Sequence, residues 1–447
     1  MAAAKSAVVI GGGFVGLSCA LHLQRIGRRV VLVDRGSVGG AQSASYGNAG
    51  TMACYANVPT NSPSLFRKLP GMLLDPSSPL SVRVTPHLVV SMLPWAALFA
   101  WHCRPSAVEH TADALGALLA RAEAGYEPVW KQAGIDVDGP MGEHASGDEF
   151  ARSRPYAVRN GYLLLQRTEE MMRASEAGAA LRRRGLGDGL KMEALTADEV
   201  LALEPALSDR VVAGGAWYFS DGWFLSEPAA LLRALVAGFE TGGGVFREGE
   251  ATHLRADATA GAAVRLDDGS ELVADDVVVA AGAHSKALAA SIGDWVPLDT
   301  ERGYHVAFAR GTESLLTRAV CDPTEGFIAS PMAGGLRVAG KVELGGLRAP
   351  ADASRYAEIE RATCAMIPGI GARCEEEDWL GFRPTMPDAL PVIGRSGRVP
   401  AVVYAFGHQH VGWTLGGVTG QLVAEIVEGR APSVDIEPYR AGRFGWG

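Results

Sequence analysis

The chain has 447 residues, 48% of them hydrophobic and 20% charged, with a formal net charge of −9 at pH 7. This is a globular composition, at a length that suits two domains or one large composite unit. The acidic balance excludes a nucleic-acid partner, because no basic stripe is available to neutralise phosphates. The one dense basic cluster, Arg182-Arg183-Arg184, closes a helical pattern and reads as a solvated last turn. Six cysteines form no Cys-x-x-Cys pair, so neither a disulfide framework nor a metal site is expected. That usage suits a reducing compartment, and with no signal peptide evident the expected location is cytoplasmic.

In chain order, the apolar run Ala7 to Ile10 predicts a buried strand, followed by Gly11-x-Gly13-x-x-Gly16, a helix from Leu17 to Gly27, and a second strand, Val30 to Asp34. Each glycine has a task in a dinucleotide fingerprint. Gly11 permits the tight turn, Gly13 admits a pyrophosphate to the backbone, and Gly16 lets helix and strand pack closely. The helix N-terminus supplies free N–H groups for phosphates, and Asp34 is spaced to accept ribose hydroxyls. Phe14, Val15 and Arg35 belong to the same expected contact set.

The stretch from Pro59 to Pro86 reads as extended loop, and helical periodicity runs from Val89 to Ala133. Within it Leu88 to Cys103 is an apolar run of about sixteen residues with Pro94 inside, short for a membrane span of about twenty. It is expected to form a buried helix pair, with an apolar surface lying on a membrane as the alternative. A strand at Gly161 to Gln166 precedes a helix from Glu169 to Arg184, and Thr196 with Glu199 forms a capping box. After a strand at Gly215 to Phe219, Ser226 is placed to cap a helix from Ala229 to Glu240. Strands follow at Gly244–Arg247, Ala251–Arg255 and Ala263–Leu266, with a hairpin turn at Asp267–Ser270 leading to Glu271–Val273. The run from Asp276 ends in the small-residue turn Ala280-Ala281-Gly282, where backbone can approach a ligand. Strands return between Pro297 and Ala349, a Pro-rich loop covers Arg383 to Pro391, and a strand at Ala401–Phe406 leads through Gly407–Gly412 into a helix from Trp413 to Glu428.

Four further motifs stand in order: Ser45-Tyr46-Gly47-Asn48-Ala49-Gly50, Glu301-Arg302-Gly303-Tyr304-His305, Gly381-Phe382-Arg383-Pro384-Thr385-Met386-Pro387-Asp388 with Leu390 to Gly394, and Gly407-His408-Gln409-His410-Val411-Gly412. On these the chain resembles, over nearly its whole length, the D-amino-acid oxidase-like flavoproteins, and among them most the FAD-dependent D-amino-acid dehydrogenases. The resemblance implies an α/β fold in which a Rossmann-like FAD-binding domain is interleaved with an α+β substrate domain. The expected division is FAD-binding over residues 1–85, 225–295 and 377–447, and substrate-binding over 86–224 and 296–376. It also implies FAD, an amino-acid or amine substrate, and electrons passed to a quinone, another carrier or oxygen; the apolar Leu88–Cys103 run adds peripheral contact with a membrane as an alternative for the cytoplasmic protein. Oligomeric state is not legible. Asp34 stands where relatives often have Glu, and Lys341 where they tend to have a small hydroxyl residue.

The Arg of the Gly-Phe-Arg-Pro motif, Arg383, anchors the substrate carboxylate in the resembled family, a role suited to a guanidinium fork; the alternative is a structural pair with Asp388. On a strand Arg302 and Tyr304 share one face and His305 the other. Tyr304 is expected to donate its phenol to the carboxylate or cap the pocket, and Arg302 to reach the site or form an interdomain ion pair. His410 is favoured over His408 as a pocket residue, and Tyr55 is added. For the cofactor, Ser43, Ser45, Asn48, Ala49, Gly50 and Thr51 form the loop beside the flavin ring. Val411, Gly412, Trp413 and Thr414 open a helix aimed at it, while Ala251, Ala281 and Gly282 contribute backbone. The expected chemistry is hydride transfer from Cα to the flavin with no strong general base, the imine then hydrolysing to keto acid and ammonia. The alternative substrate is a secondary amine such as sarcosine, D-proline or D-hydroxyproline.

Overall fold

The computed structural model describes residues 4–63, 71–72, 75, 78–258 and 261–445, so part of the predicted Pro59–Pro86 loop lies outside the described residues. Six strands form the nucleotide sheet in the order Val245–Glu248, Arg29–Asp34, Ser6–Ile10, Asp276–Val279, Val402–Phe406 and Val392–Arg395. The first four pairings are parallel and the last is antiparallel. Strands in such a sheet are covered on both faces, which is why they read as continuous apolar runs. The pleat divides them cleanly. Ala7, Val9, Leu32, Val278, Val403 and Ala405 pack on one side with Leu17, Leu21, Val418 and Leu422 of the first and last helices. Val8, Ile10, Val33, Val277, Val279, Val402 and Tyr404 pack on the other, against the three-stranded meander Ala251–Asp257, Gly261–Leu266 and Glu271–Ala274.

A second, nine-stranded sheet runs in the order Trp379–Thr385, Asp299–Ala307, Gly335–Leu344, Phe327–Met332, Ala319–Asp322, Tyr162–Leu165, Ala216–Phe219 and Met192–Leu195, with Leu80–Val82 beside Gly335–Leu344. Its outer face packs on the helix Ala353–Met366 through Tyr304, Val306, Val338 and Ile359. The helices Pro105–Leu119 and Ala122–Ala133 join the core of the nucleotide sheet, where Leu115, Leu118, Tyr126 and Val129 are buried.

Four local expectations change. Trp379–Thr385 is a strand and not the start of a loop; Pro384 is tolerated because the strand is an edge, laddered only to Asp299–Ala307, with one bridge from Thr385 to His408 on its other side. It therefore belongs to the nine-stranded sheet, although residues 377–447 were expected in the nucleotide unit. The helix predicted from Ala229 begins at Pro228 with Glu227 as its N-cap, and the Ser226 hydroxyl makes no bond to it. The Leu88–Cys103 run forms a π-helical turn and the helix Leu93–His102, but not a buried pair. Only Trp95 of that helix is buried, its indole N–H donating to the Thr385 carbonyl, while Leu93 and Trp101 are 54% and 59% exposed.

The first helix, Phe14–Arg25, is tied to Ala122–Ala133 by His22, whose Nε2 lies 2.9 Å from the Gly125 carbonyl and whose Nδ1 lies 3.1 Å from Arg25 Nη1. Burial lowers its pKa to about 4, against an ordinary value of about 6.5. Between those values the unfolded chain binds a proton that the folded chain refuses, so stability falls as pH drops through that window. The full effect is about 3 kcal/mol for this one residue. Urea midpoints at pH 7.5 and 4.5 should separate less in a His22→Gln variant than in the parent; equal separations would refute this assignment.

Candidate active site

A cavity of about 480 Å³ opens beyond the carboxyl ends of the nucleotide strands, where open α/β sheets bind ligands, and extends over the inner face of the nine-stranded sheet. At one end Gly11, Gly13, Phe14, Val15, Asp34 and Arg35 line it, together with Ser43, Ser45 and Asn48 to Thr51. Ala251, Ala281, Gly282, Gly412 and Trp413 line the same cavity. Gly11 has φ +110°, and a Cβ there would lie 2.3 Å from the Ala280 carbonyl oxygen, so the turn admits glycine alone. Asp34 accepts from Gly12 N at 2.6 Å and Gly36 N at 3.1 Å, and its remaining lone pairs are available to hydroxyls. The Asn48 side chain bridges Ser45 O and Gly50 N, closing the loop on itself. Ser330 and Arg337 of the nine-stranded sheet hold that loop by donating to Ala49 O and Tyr46 O.

Two helix N-termini face this cavity, those of Phe14–Arg25 and Gly412–Glu428. Neither has an acidic residue in its first turn or a cap bond from its own N-cap residue, and the one side chain at these termini is the neutral Ser45, whose Oγ accepts from Phe14 N at 3.2 Å. Their partial positive charge is therefore left for a ligand, which fits a cofactor with a pyrophosphate and an electron-accepting ring. Three residues of the expected set stand behind the cavity wall. Gly16 packs against the Gly11 carbonyl, Val411 is in the core, and Thr414 accepts from Ala53 N at 3.0 Å.

The substrate end follows from strand register. Leu164, Cys321, Ile328, Ala339 and His305 stand side by side across five strands, so their side chains share one face. Two and four residues back from His305, Gly303 and Glu301 continue that face, and their partners on the edge strand are Gly381 and Arg383. Gly303 has no side chain, and a Cβ there would lie 2.6 Å from Arg383 Cζ. The guanidinium lies over that gap and donates Nη1 to the Lys341 carbonyl at 2.8 Å. Lys341 sits at φ 56°, beside a break in register between its strand and Arg302–Tyr304. Its ammonium lies 3.5 Å from Glu325, so it contributes a carbonyl and not a cation to the site. Burial lowers the Arg383 pKa and raises that of Glu301, each charge partly offsetting the cost for the other. The alternative pairing fails, because Asp388 is held by Arg443 at 2.6 and 3.1 Å.

His410 is exposed to the cavity, while burial among protein groups and then the Arg383 charge lower its pKa to about 4. His408 also borders the cavity, but its Nε2 lies 2.9 Å from Thr419 Oγ1. Tyr55 closes the far wall, stacked on Tyr162 and Phe219 at 4.6 and 4.3 Å between centroids. Two expectations are corrected. Tyr304 borders the cavity, yet its phenol donates to Glu343 Oε2 at 2.5 Å, away from any substrate. Arg302 is fully buried on that same far face, paired with Glu343 at 2.8 Å and donating to the Ala349 and Pro350 carbonyls. The residue that sequence reasoning missed is Arg182, read as solvated, which lines the cavity beside Tyr55. Its signal was spacing: it stands three residues after Ala179, the buried residue of the helix Glu169–Leu186.

These placements separate two kinds of variant. Arg302→Met leaves a buried carboxylate short of its partner and should cost about 3 kcal/mol of stability, read as a lower denaturation midpoint. Gly303→Ala fills the gap under Arg383 and should lower kcat/KM with little change in midpoint. The opposite pattern would show that the two faces are wrongly assigned.

The family described as DAO, FAD dependent oxidoreductase, matches residues 6–426. A D-amino-acid oxidase of Bradyrhizobium diazoefficiens is 33% identical over 98% of this chain and 99% of that protein. A D-amino acid dehydrogenase of Cereibacter sphaeroides is 28% identical over 97% and 95%. Among solved structures, glycine oxidase from Geobacillus kaustophilus superposes with a TM-score of 0.69 at 23% identity, covering 98% of each chain. Iminodiacetate oxidase from Chelativorans sp. BNC1 gives 0.70 at 21%, also covering 98% of each. With the fingerprint, the paired helix termini and this match over most of its length, the chain belongs to the DAO family of FAD dependent oxidoreductases.

Proposed function

We propose that the protein oxidises a D-amino acid to its imine, which water hydrolyses to a keto acid and ammonia. The observation that carries this reading is Arg383: a guanidinium turned into the cavity, with carbonyls as its hydrogen-bond acceptors among the described residues. Such a fork binds an α-carboxylate by two parallel charge-assisted hydrogen bonds. FAD, when bound in the cradle, supplies the two-electron acceptor. Arg383 orients the substrate so that its Cα–H faces the cofactor end of the cavity. His410 is neutral near pH 7, so it adds no charge against the incoming ammonium group and can accept a hydrogen bond from the amine. Tyr55 bounds the space for the side chain. The relatives' names, D-amino-acid oxidase and D-amino acid dehydrogenase, support the substrate class.

For the second half-reaction we propose a quinone or other carrier, met at the apolar face of Val90, Leu93 and Trp101 with the protein lying on the cytoplasmic side of a membrane. Among the described residues no helix is long and apolar enough to cross one.

Anaerobic addition of D-amino acids should bleach the flavin absorbance, and L-enantiomers should not. Arg383→Leu should lower kcat/KM by about 100-fold or more, mainly through KM. Unchanged turnover in that variant would overturn the assignment. Dye reduction exceeding peroxide release would support a carrier, and the reverse would reject it.

A further inference from the structure

The three arginines that end the helix Glu169–Leu186 part company. Arg184 pairs with Asp113 and Glu109 at the surface, and Arg183 lies over the Trp217 ring. Arg182 alone turns inward, lines the cavity and donates Nε to the Tyr55 carbonyl at 3.2 Å. Among the described residues no carboxylate lies within ion-pair distance of it. Its neighbours are the phenols of Tyr55 and Tyr162 and the thiol of Cys321, all kept neutral by burial. A guanidinium stays protonated under any such conditions, so this one is a half-buried cation whose counter-charge the chain itself does not provide.

Its position along the sheet can be read from the strands. Arg383 reaches across Gly303 to the carbonyl of Lys341, on the strand Gly335–Leu344. Arg182 stands by Cys321 on Ala319–Asp322, two strands further along the same face. Two strand spacings are about 10 Å, and Cys321 stands level with Ala339, two residues before Lys341, so the anchors of the two forks are on the order of 12 Å apart. A dicarboxylic amino acid, with a carboxylate at each end, bridges forks that extend toward each other from those anchors. A substrate with a neutral side chain would leave Arg182 desolvated and unpaired.

We propose that Arg182 binds a second carboxylate, on the substrate's side chain, making this a site for dicarboxylic amino acids such as D-aspartate or D-glutamate. The proposal rests on Arg383 holding the α-carboxylate, as argued above. Charge on the side chain, and not its size, then decides selectivity, because an isosteric amide cannot accept both N–H groups of the fork as an anion does.

Kinetics on the flavin-loaded protein test this. D-Aspartate and D-glutamate should exceed D-asparagine and D-glutamine in kcat/KM by at least about 30-fold. In Arg182→Met that ratio should fall by about 10-fold or more, with the change in KM for the acids; a merely structural role would lower acids and amides alike and leave the ratio. Should Arg182→Met fail to retain flavin, the parent protein still decides: succinate should perturb the flavin spectrum at about one tenth the concentration that butyrate needs. Oxidation of iminodiacetate with the same dependence on Arg182 would support the dicarboxylate class and make the donor a secondary amine. Preference for D-alanine or D-leucine over the acids would overturn this inference alone. Failure of every D-amino acid to reduce the flavin would overturn the proposed function as well.

Discussion

The substrate end of this molecule depends on an arginine lying across a strand that has no side chain at the crossing. Arg383 belongs to an edge strand, and its fork reaches the cavity because Gly303 leaves the neighbouring strand bare. The carbonyl that receives it comes from Lys341, presented at a left-handed residue beside a register break. Because side chains alternate, register here is critical: a slip of Asp299–Ala307 by one residue would bring Arg302 and Tyr304 to the cavity face and close the gap that Gly303 leaves under Arg383. The far side resists such a slip. Arg302, Tyr304 and Arg83 converge on Glu343, two of them fully buried, so a shift would strand a carboxylate without partners. The residues behind the sheet thus fix which residues face the substrate.

The same logic joins the two sheets. The loop Ser43–Thr51 borders the cofactor end of the cavity, yet its carbonyls are held by Ser330 and Arg337 from the substrate sheet. Thr414, in the first turn of the last helix, holds the backbone of Ala53 just beyond that loop. Neither sheet completes the cavity alone.

Much of the fold was legible because parallel strands and capping chemistry leave local traces. The apolar runs at Ala7, Asp276 and Ala401, the glycine fingerprint and the Thr196–Glu199 box all depend on near neighbours. What was not legible depends on distant packing. Pro384 reads as a loop until its strand is known to be an edge, where a missing N–H costs nothing. Arg302 and Arg383 are equally good guanidinium forks, and only the pleat and the partner Glu343 separate them. The run at Leu88 was expected inside because it is apolar, but in its helix Leu93–His102 only Trp95 is buried, with Met92 and Cys103 on either side. Arg182 went unseen for the converse reason: basic residues at a helix C-terminus are favoured there with or without a ligand.

Charge across the cavity argues for one class of occupant throughout. The chain carries −9 overall, yet the positive groups that border this space are Arg383, Arg182, Arg35 and two helix N-termini without acidic first turns. Against them stand Asp34, which accepts two backbone N–H groups, and Glu250, which also lines the cavity, with Glu301 beside Arg383 pushed toward protonation by burial. His408 and His410 have pKa values lowered to about 3 and about 4, by burial and for His410 also by the Arg383 charge, so they do not add to the positive potential near neutral pH. An acidic exterior repels anions at long range but is screened within about 10 Å by salt, whereas charges inside the cavity are screened much less. On the proposed reading the site holds anions by what lies within it, at the pyrophosphate end by helix termini and at the substrate end by two forks. A cation entering alone would meet a field that opposes it, and on that reading a carboxylate on the same molecule is what carries an ammonium group in.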